Sequence, residues 1–180
     1  MGCLSKLWYF YLYYACITKI SAMFFKEFEI RWSDLDANGH MANSAYINFM
    51  AHTRMSYLVQ LGFSQKNMAE NRIGPVVFHE HVHYFREAFP GKPIRVSLEL
   101  TGLSEDGMFF EFLHNFYDSE GKNFARCQIM GGWIDMRERR LAPLPAEFLN
   151  YFQDMERAED FKVLQRADTR KFGQFPKDLP

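Results

Sequence analysis

The chain has 180 residues and a formal net charge of −1. That is long enough for one domain with a sizeable core, and it carries no basic field of the kind that binds nucleic acid. Cys3, Cys16 and Cys127 are too few and too widely spaced for a disulfide framework or a zinc site, and they read as free thiols of a reducing, cytoplasmic compartment. The 19 Phe and 9 Tyr fit either ordinary core packing or an apolar pocket.

Residues 1–22 stand apart. Leu7 to Thr18 is apolar and free of charge, but its 12 residues fall short of the ~20 that cross a bilayer. Trp8, Tyr9, Tyr11, Tyr13 and Tyr14 make a poor signal-peptide core, and Lys6 stands where an acylation pattern after Met1-Gly2-Cys3 wants Ser or Thr. Three readings stay open: an extension ahead of a domain that starts at Met23, as an upstream start codon would give; membrane contact, which would make the protein membrane-associated; and a cleaved signal.

From Met23 onward the pattern is regular. Phe24 to Trp32 alternates and predicts a strand. Asn43 to Leu61 predicts a long helix, with Asn43 or Ser44 as N-cap, an apolar stripe at Ile47, Met50, Ala51, Leu58 and Leu61 widened by Phe49 and Met55, and Gly62 as its stop. A short helix over Ser64 to Asn71 and the Gly74-Pro75 punctuation follow. Val76 to Ala88 predicts the second strand, and Ile94 to Thr101 alternates as the third. Asp106-Gly107 marks a hairpin, Met108 to Tyr117 the next strand, and Asn123 to Met136 the last. Gly131-Gly132 inside that strand implies a bulge or a close backbone approach. Pro145 opens a helix that runs to about Arg157, and the charged residues from Asp160 read as peripheral. The expected organisation is therefore an extension at 1–22, a domain at 23–157 and a tail at 158–180. The order of strand, long helix and four antiparallel strands by meander predicts an α+β fold, a curved antiparallel sheet wrapped around one long central helix.

The stretch Arg31 to Tyr46, RWSDLDANGHMANSAY, carries the chemistry. A strand delivers Asp34 and Asp36 to a loop, Asn38 and Gly39 turn it, and the loop ends at a helix N-terminus. Free backbone N–H groups and the helix dipole favour negative charge there. A carboxylate facing an anion-stabilising helix end supplies what acyl transfer needs: a base or nucleophile, and a place for the developing oxyanion.

The pattern D-x-D-x-x-G-H-x-x-N followed by a helix resembles the hotdog-fold acyl-CoA thioesterases, in particular the 4-hydroxybenzoyl-CoA thioesterase-like group. Gly74-Pro75, Tyr84 to Ala88, Gly131-Gly132-Trp133 and the Arg-rich run ending at Pro145 extend the resemblance over roughly Phe24 to Pro145. It implies a hotdog domain that hydrolyses an acyl thioester of coenzyme A or an acyl-carrier protein without a metal or organic cofactor. It also implies a homodimer or homotetramer. Asp36 would be nucleophile or general base, and the Asn43 backbone N–H would hold the oxyanion. Gly39 and His40 would shape the loop, with His40 orienting Asp36, holding water or touching the thioester, while Asp34 fixes the loop. The Gly74 to Val77 backbone, including Gly74 and Val76, would line the site, from the opposing subunit where the sheets pair. Arg86, Lys92 and Arg126 are candidates for the coenzyme A phosphates. Asp36 has a plainer reading as a loop cap or ion-pair partner of Arg31 or Arg54, and Arg54, in a largely apolar helix, is expected to have an acidic partner.

Three rivals remain. His79-Glu80-His81-Val82-His83 matches the H-E-x-x-H zinc motif, which works on a helix. On a strand His79 and His83 lie ~13 Å apart and cannot share one zinc, although His79 and His81 are close enough to hold a metal. Asp36-Ala37-Asn38-Gly39-His40 loosely resembles the D-x-N-x-x-H pattern of hotdog enoyl-CoA hydratases, with His40 one residue early and Gly39 in place of a proline. A non-catalytic acyl-CoA or acyl-carrier binding protein would use the same frame.

Overall fold

The computed structural model describes residues 23–153 and 155–179, with Gln153 as backbone alone; the expectations for residues 1–22 lie outside the described residues. The first strand, β1 (Phe24–Phe28), is shorter than its alternation predicts. A 3-10 turn over Trp32–Asp34 takes up the rest, clamped by a forked bond from the Arg31 guanidinium to the Asp34 carboxylate at 2.9 Å on both oxygens. Helix α1 (Asn43–Gln60) follows, and Gly62 ends it at φ +99° as expected. The short α2 (Gln65–Glu70) is capped by the Ser64 hydroxyl, which accepts from the Asn67 N–H.

Strands β2 (Ile73–Tyr84), β3 (Ile94–Leu103), β4 (Phe109–Tyr117) and β5 (Asn123–Asp135) form the sheet with β1 in the order β1-β3-β4-β5-β2. The simple meander is therefore corrected. β3, β4 and β5 follow one another, but β2 pairs with β5 and, among the described residues, has no strand on its other edge. Gly74 and Pro75 lie inside β2 rather than before it. The sheet curls as a half-barrel against α1, which is the hotdog fold.

Two packed clusters hold α1 to the sheet. Tyr46, Phe49 and Met50 meet Val96, Phe116, Phe124 and Cys127 near the start of the helix. Leu58 and Phe63 meet Phe110, Phe112, Ile129 and Trp133 near its end. Each fully buried Phe or Leu contributes about 1.5–3 kcal/mol of apolar burial. Met50 and Leu58 are buried as the stripe predicts, whereas Ile47 and Ala51 are only half-buried. Ala45, Tyr46 and Thr53 are buried instead, and the Thr53 hydroxyl is satisfied by the Phe49 carbonyl at 2.8 Å.

Gly131 is a close-approach glycine: a Cβ there would meet the Phe110 ring and the Val76 carbonyl oxygen at 2.5 Å. The bulge falls across from it, in β2 between Val77 and His79. Phe78, left unpaired, packs against Phe109 at 6.2 Å between ring centroids.

The C-terminal residues depart furthest from the sequence reading. The last helix, α3 (Ala146–Gln153), is short, and after a two-residue β6 (Arg140–Leu141) and this helix the chain forms β7 (Arg157–Val163). β7 pairs in parallel with β3, Leu164 is buried, and Lys171 reaches the buried Glu111 at 3.0 Å. Charge alone suggested a peripheral segment. These charges are used, because Glu111 on the outer sheet face needs cationic partners.

Candidate active site

The loop from Asp36 to His40 is closed at its neck by a bridge between Leu35 and Met41. Asp36 builds the turn itself. Its Oδ1 accepts the Asn38 N–H at 2.8 Å and the His40 N–H at 3.1 Å, and its own N–H donates to the His40 carbonyl at 2.8 Å. Gly39 takes φ +74°, the conformation that favours glycine, and its N–H returns to the Asp36 carbonyl at 3.1 Å. The carboxylate is thus aimed by backbone donors, with Oδ2 bearing no hydrogen bond among the described residues.

Asp34 anchors the loop, as expected: it is buried, Arg31 holds its carboxyl below the usual carboxylate range, and its carbonyl receives the Ala42 N–H at 2.8 Å. Arg31 therefore belongs to Asp34, not to Asp36.

The helix starts one residue differently from the sequence reading. Ala42 is the N-cap, in an extended conformation, and Asn43 is the first helical residue. The Asn43 side chain accepts only the neighbouring Ser44 N–H, at 2.9 Å. The Asn43 N–H makes no hydrogen bond among the described residues, as the first turn of a helix leaves it.

Asp36, His40 and Asn43 line one open cavity of about 410 Å³, together with Met41, Tyr46 and the residues from Tyr84 to Ala88. Tyr46 and Tyr84 meet edge to face at 4.9 Å. Burial, the neighbouring Tyr84 and the Asp36 charge push the Tyr46 phenol up to about 12, so it stays neutral. The sequence reading missed both tyrosines, although Tyr46 stands three residues after Asn43, on the same helix face.

Gly39 shapes the loop without lining this cavity, and Gly74 and Val76 lie at the other end of β2, ~30 Å along the strand from Tyr84. A single chain does not bring them to Asp36. Arg86 lines the cavity, and Lys92 lines an adjoining one of about 330 Å³ that shares Arg86, Glu87 and Ala88. Arg126 lines neither and is tied to the Asn115 side chain at 2.9 Å. A larger groove of about 710 Å³ between Ser104 and Arg166 contains neither Asp36 nor Asn43.

Arg54 has a histidine where an acid was expected. The His114 Nδ1 faces the Ser97 carbonyl at 2.8 Å and so carries the proton, which leaves Nε2 to accept from Arg54 at 3.4 Å. Complete burial, with the Arg54 charge beside it, pushes this imidazole down to about 3 and keeps it neutral. Glu80 acts on Arg54 only through its charge.

His79, His81 and His83 lie on a strand, and the Phe172 ring stacks on His81 at 3.9 Å. Among the described residues no three His, Cys, Asp or Glu side chains are grouped to hold a metal ion, and no helix is long and apolar enough to cross a membrane. Cys127 is a buried free thiol whose burial pushes it up to about 12.

An α1 that begins at an open carboxylate loop and lies against a curled antiparallel sheet defines a hotdog-fold protein. Residues 30–152 match the thioesterase-like superfamily, and the chain belongs to that family. Solved structures of similar fold include Slr0204, a 1,4-dihydroxy-2-naphthoyl-CoA thioesterase from Synechocystis, at 22% identity and TM-score 0.65, covering 73% of this chain and 96% of that one. SAV2348 from Staphylococcus aureus, in complex with CoA, is similar at 16% identity and TM-score 0.69, covering 88% of this chain and 96% of that one. The uncharacterized protein YsmA of Bacillus subtilis (strain 168) is 24% identical over 102 residues, 57% of this chain and 67% of YsmA.

Proposed function

We propose that the protein is an acyl-CoA thioesterase, and one observation carries the reading: the Asp36 carboxylate and the unpaired Asn43 N–H line the same cavity. The CoA bound to the similar Staphylococcus protein supports coenzyme A as the carrier. In the general-base route, water attacks the thioester carbonyl carbon and gives its proton to Asp36. The carbonyl oxygen becomes an oxyanion held by the Asn43 N–H and the α1 dipole. The C–S bond then breaks, releasing the carboxylic acid, and the thiolate takes up a proton. In the nucleophilic route Asp36 Oδ2 attacks the carbonyl carbon, the C–S bond breaks with the thiolate leaving to take up a proton, and water hydrolyses the resulting mixed anhydride to the carboxylic acid and free Asp36. Neither route needs a metal.

The edge of β2 that no strand pairs among the described residues, with Val77 and Phe78 exposed, supports pairing with a second copy, which would carry the partner's Gly74 to Val77 backbone toward the cavity. Thiol release from a panel of aliphatic and aromatic acyl-CoAs tests the function. Wild type should turn over at least one, and Asp36→Asn, which keeps an acceptor for the Asn38 and His40 N–H groups, should lose at least ~100-fold in kcat with its fold intact. Near-normal hydrolysis by that variant would remove Asp36 from the mechanism. Silence of wild type across the panel, with water added to an enoyl-CoA, would favour the hydratase instead.

A further inference from the structure

Two loops cross at the mouth of the cavity. The Met41 N–H donates to the Ala88 carbonyl at 2.8 Å, and the Phe85 and Arg86 N–H groups both donate to the Phe124 carbonyl, at 2.9 and 3.1 Å. Glu87 is therefore held between anchored neighbours and faces the Asp36 loop. Its Oε1 lies 3.6 Å from the His40 Nδ1. The edge of Phe89 contacts the same imidazole at 4.8 Å and 78°. The imidazole thus has a carboxylate near Nδ1 and an aromatic ring beside it, and its Nε2 has no partner among the described residues. The charged groups around it are Asp36 on its own loop and Arg86 and Glu87 on the crossing loop, all of them lining the cavity.

A carboxylate facing Nδ1 favours the tautomer with hydrogen on that atom and leaves the lone pair on Nε2. We propose that Glu87 is a positioning residue. It holds His40 with Nε2 toward the cavity, where Nε2 accepts one O–H of the attacking water while Asp36 takes the proton of the other. The water oxygen bonds to the carbonyl carbon, the C–S bond breaks, and the proton on Asp36 is returned to the thiolate. This rests on the thioesterase reading. Only neutral His40 can accept that hydrogen bond.

The test uses the full chain with an acyl-CoA that wild type hydrolyses, beside NMR of the His40 ring nitrogens, whose shifts report the tautomer. Glu87 is 65% exposed, so its variants should fold. Glu87→Gln should lower kcat about tenfold and leave KM within about twofold. It should also turn the single Nδ1–H tautomer of His40 into a mixture of the two. Glu87→Asp should recover most of the loss. Wild-type kcat and an unchanged His40 tautomer in Glu87→Gln overturn the proposal and leave the thioesterase reading standing. Failure of wild type on every acyl-CoA ends both, and the missing wild-type rate distinguishes the two cases.

Discussion

Asp36 and Glu111 are both carboxylates on loop or strand positions, yet their surroundings make them opposites. Asp36 is exposed, meets only backbone N–H groups through one oxygen, and lines a cavity beside a helix N-terminus with the other oxygen unbonded among the described residues. Glu111 is 1% exposed, accepts from the Thr101 hydroxyl at 3.2 Å, and is paired with Lys162 at 3.4 Å and Lys171 at 3.0 Å. Burial raises the Glu111 carboxyl, and the two lysines more than offset it, leaving it below the usual range. A carboxylate with both oxygens committed binds segments of chain together. One with an unbonded oxygen beside an open cavity has capacity left for a substrate.

The contrast breaks most readily at Glu111. Glu111→Ala should cost about 1.5–3 kcal/mol in urea unfolding, because the Thr101 hydroxyl and two part-exposed lysines lose a charged partner, while hydrolysis per folded molecule is kept. A loss below about 1 kcal/mol would mean that the C-terminal segment is not pinned there. The wild-type stabilisation from this group is full above the ordinary glutamate range and is lost as pH falls through its depressed folded value.

At the other pole, Asn43→Pro removes the proposed oxyanion donor at a first-turn position that accepts proline, after an Ala42 whose ψ of 148° suits the residue before proline. It should lose about 3 kcal/mol of transition-state stabilisation, on the order of 100-fold in kcat, with Tm preserved. An unchanged kcat would take the Asn43 N–H out of the chemistry.

His114 sharpens the comparison from inside the core. Its folded pKa is depressed to about 3, so the unfolded chain binds the extra proton between that value and the ordinary histidine range near 6.5. Stability should rise with pH across this window by up to about 1.4 kcal/mol per unit. His114→Gln, which keeps an acceptor for Arg54, should flatten that part of the curve; an unaltered pH–stability profile would contradict the buried neutral imidazole. The smallest effect belongs to Asn43→Ala, which keeps the N–H and should hold kcat within about threefold.

Local patterns determined much of this protein before any tertiary contact was known. The helix after Asn43, the stop at Gly62, the turn at Gly39 and the strand character of His79 to His83 follow from periodicity and backbone preference, which act over a few residues. The Asp36 loop ahead of a helix N-terminus was legible for the same reason. Only the tertiary structure decided that β2 pairs with β5, that β7 joins β3, that His114 rather than an acid meets Arg54, and that Glu87 crosses to His40. Those partners lie tens of residues apart. No local propensity encodes them, because strand pairing and the satisfaction of buried charge are settled by which surfaces meet when the whole chain closes.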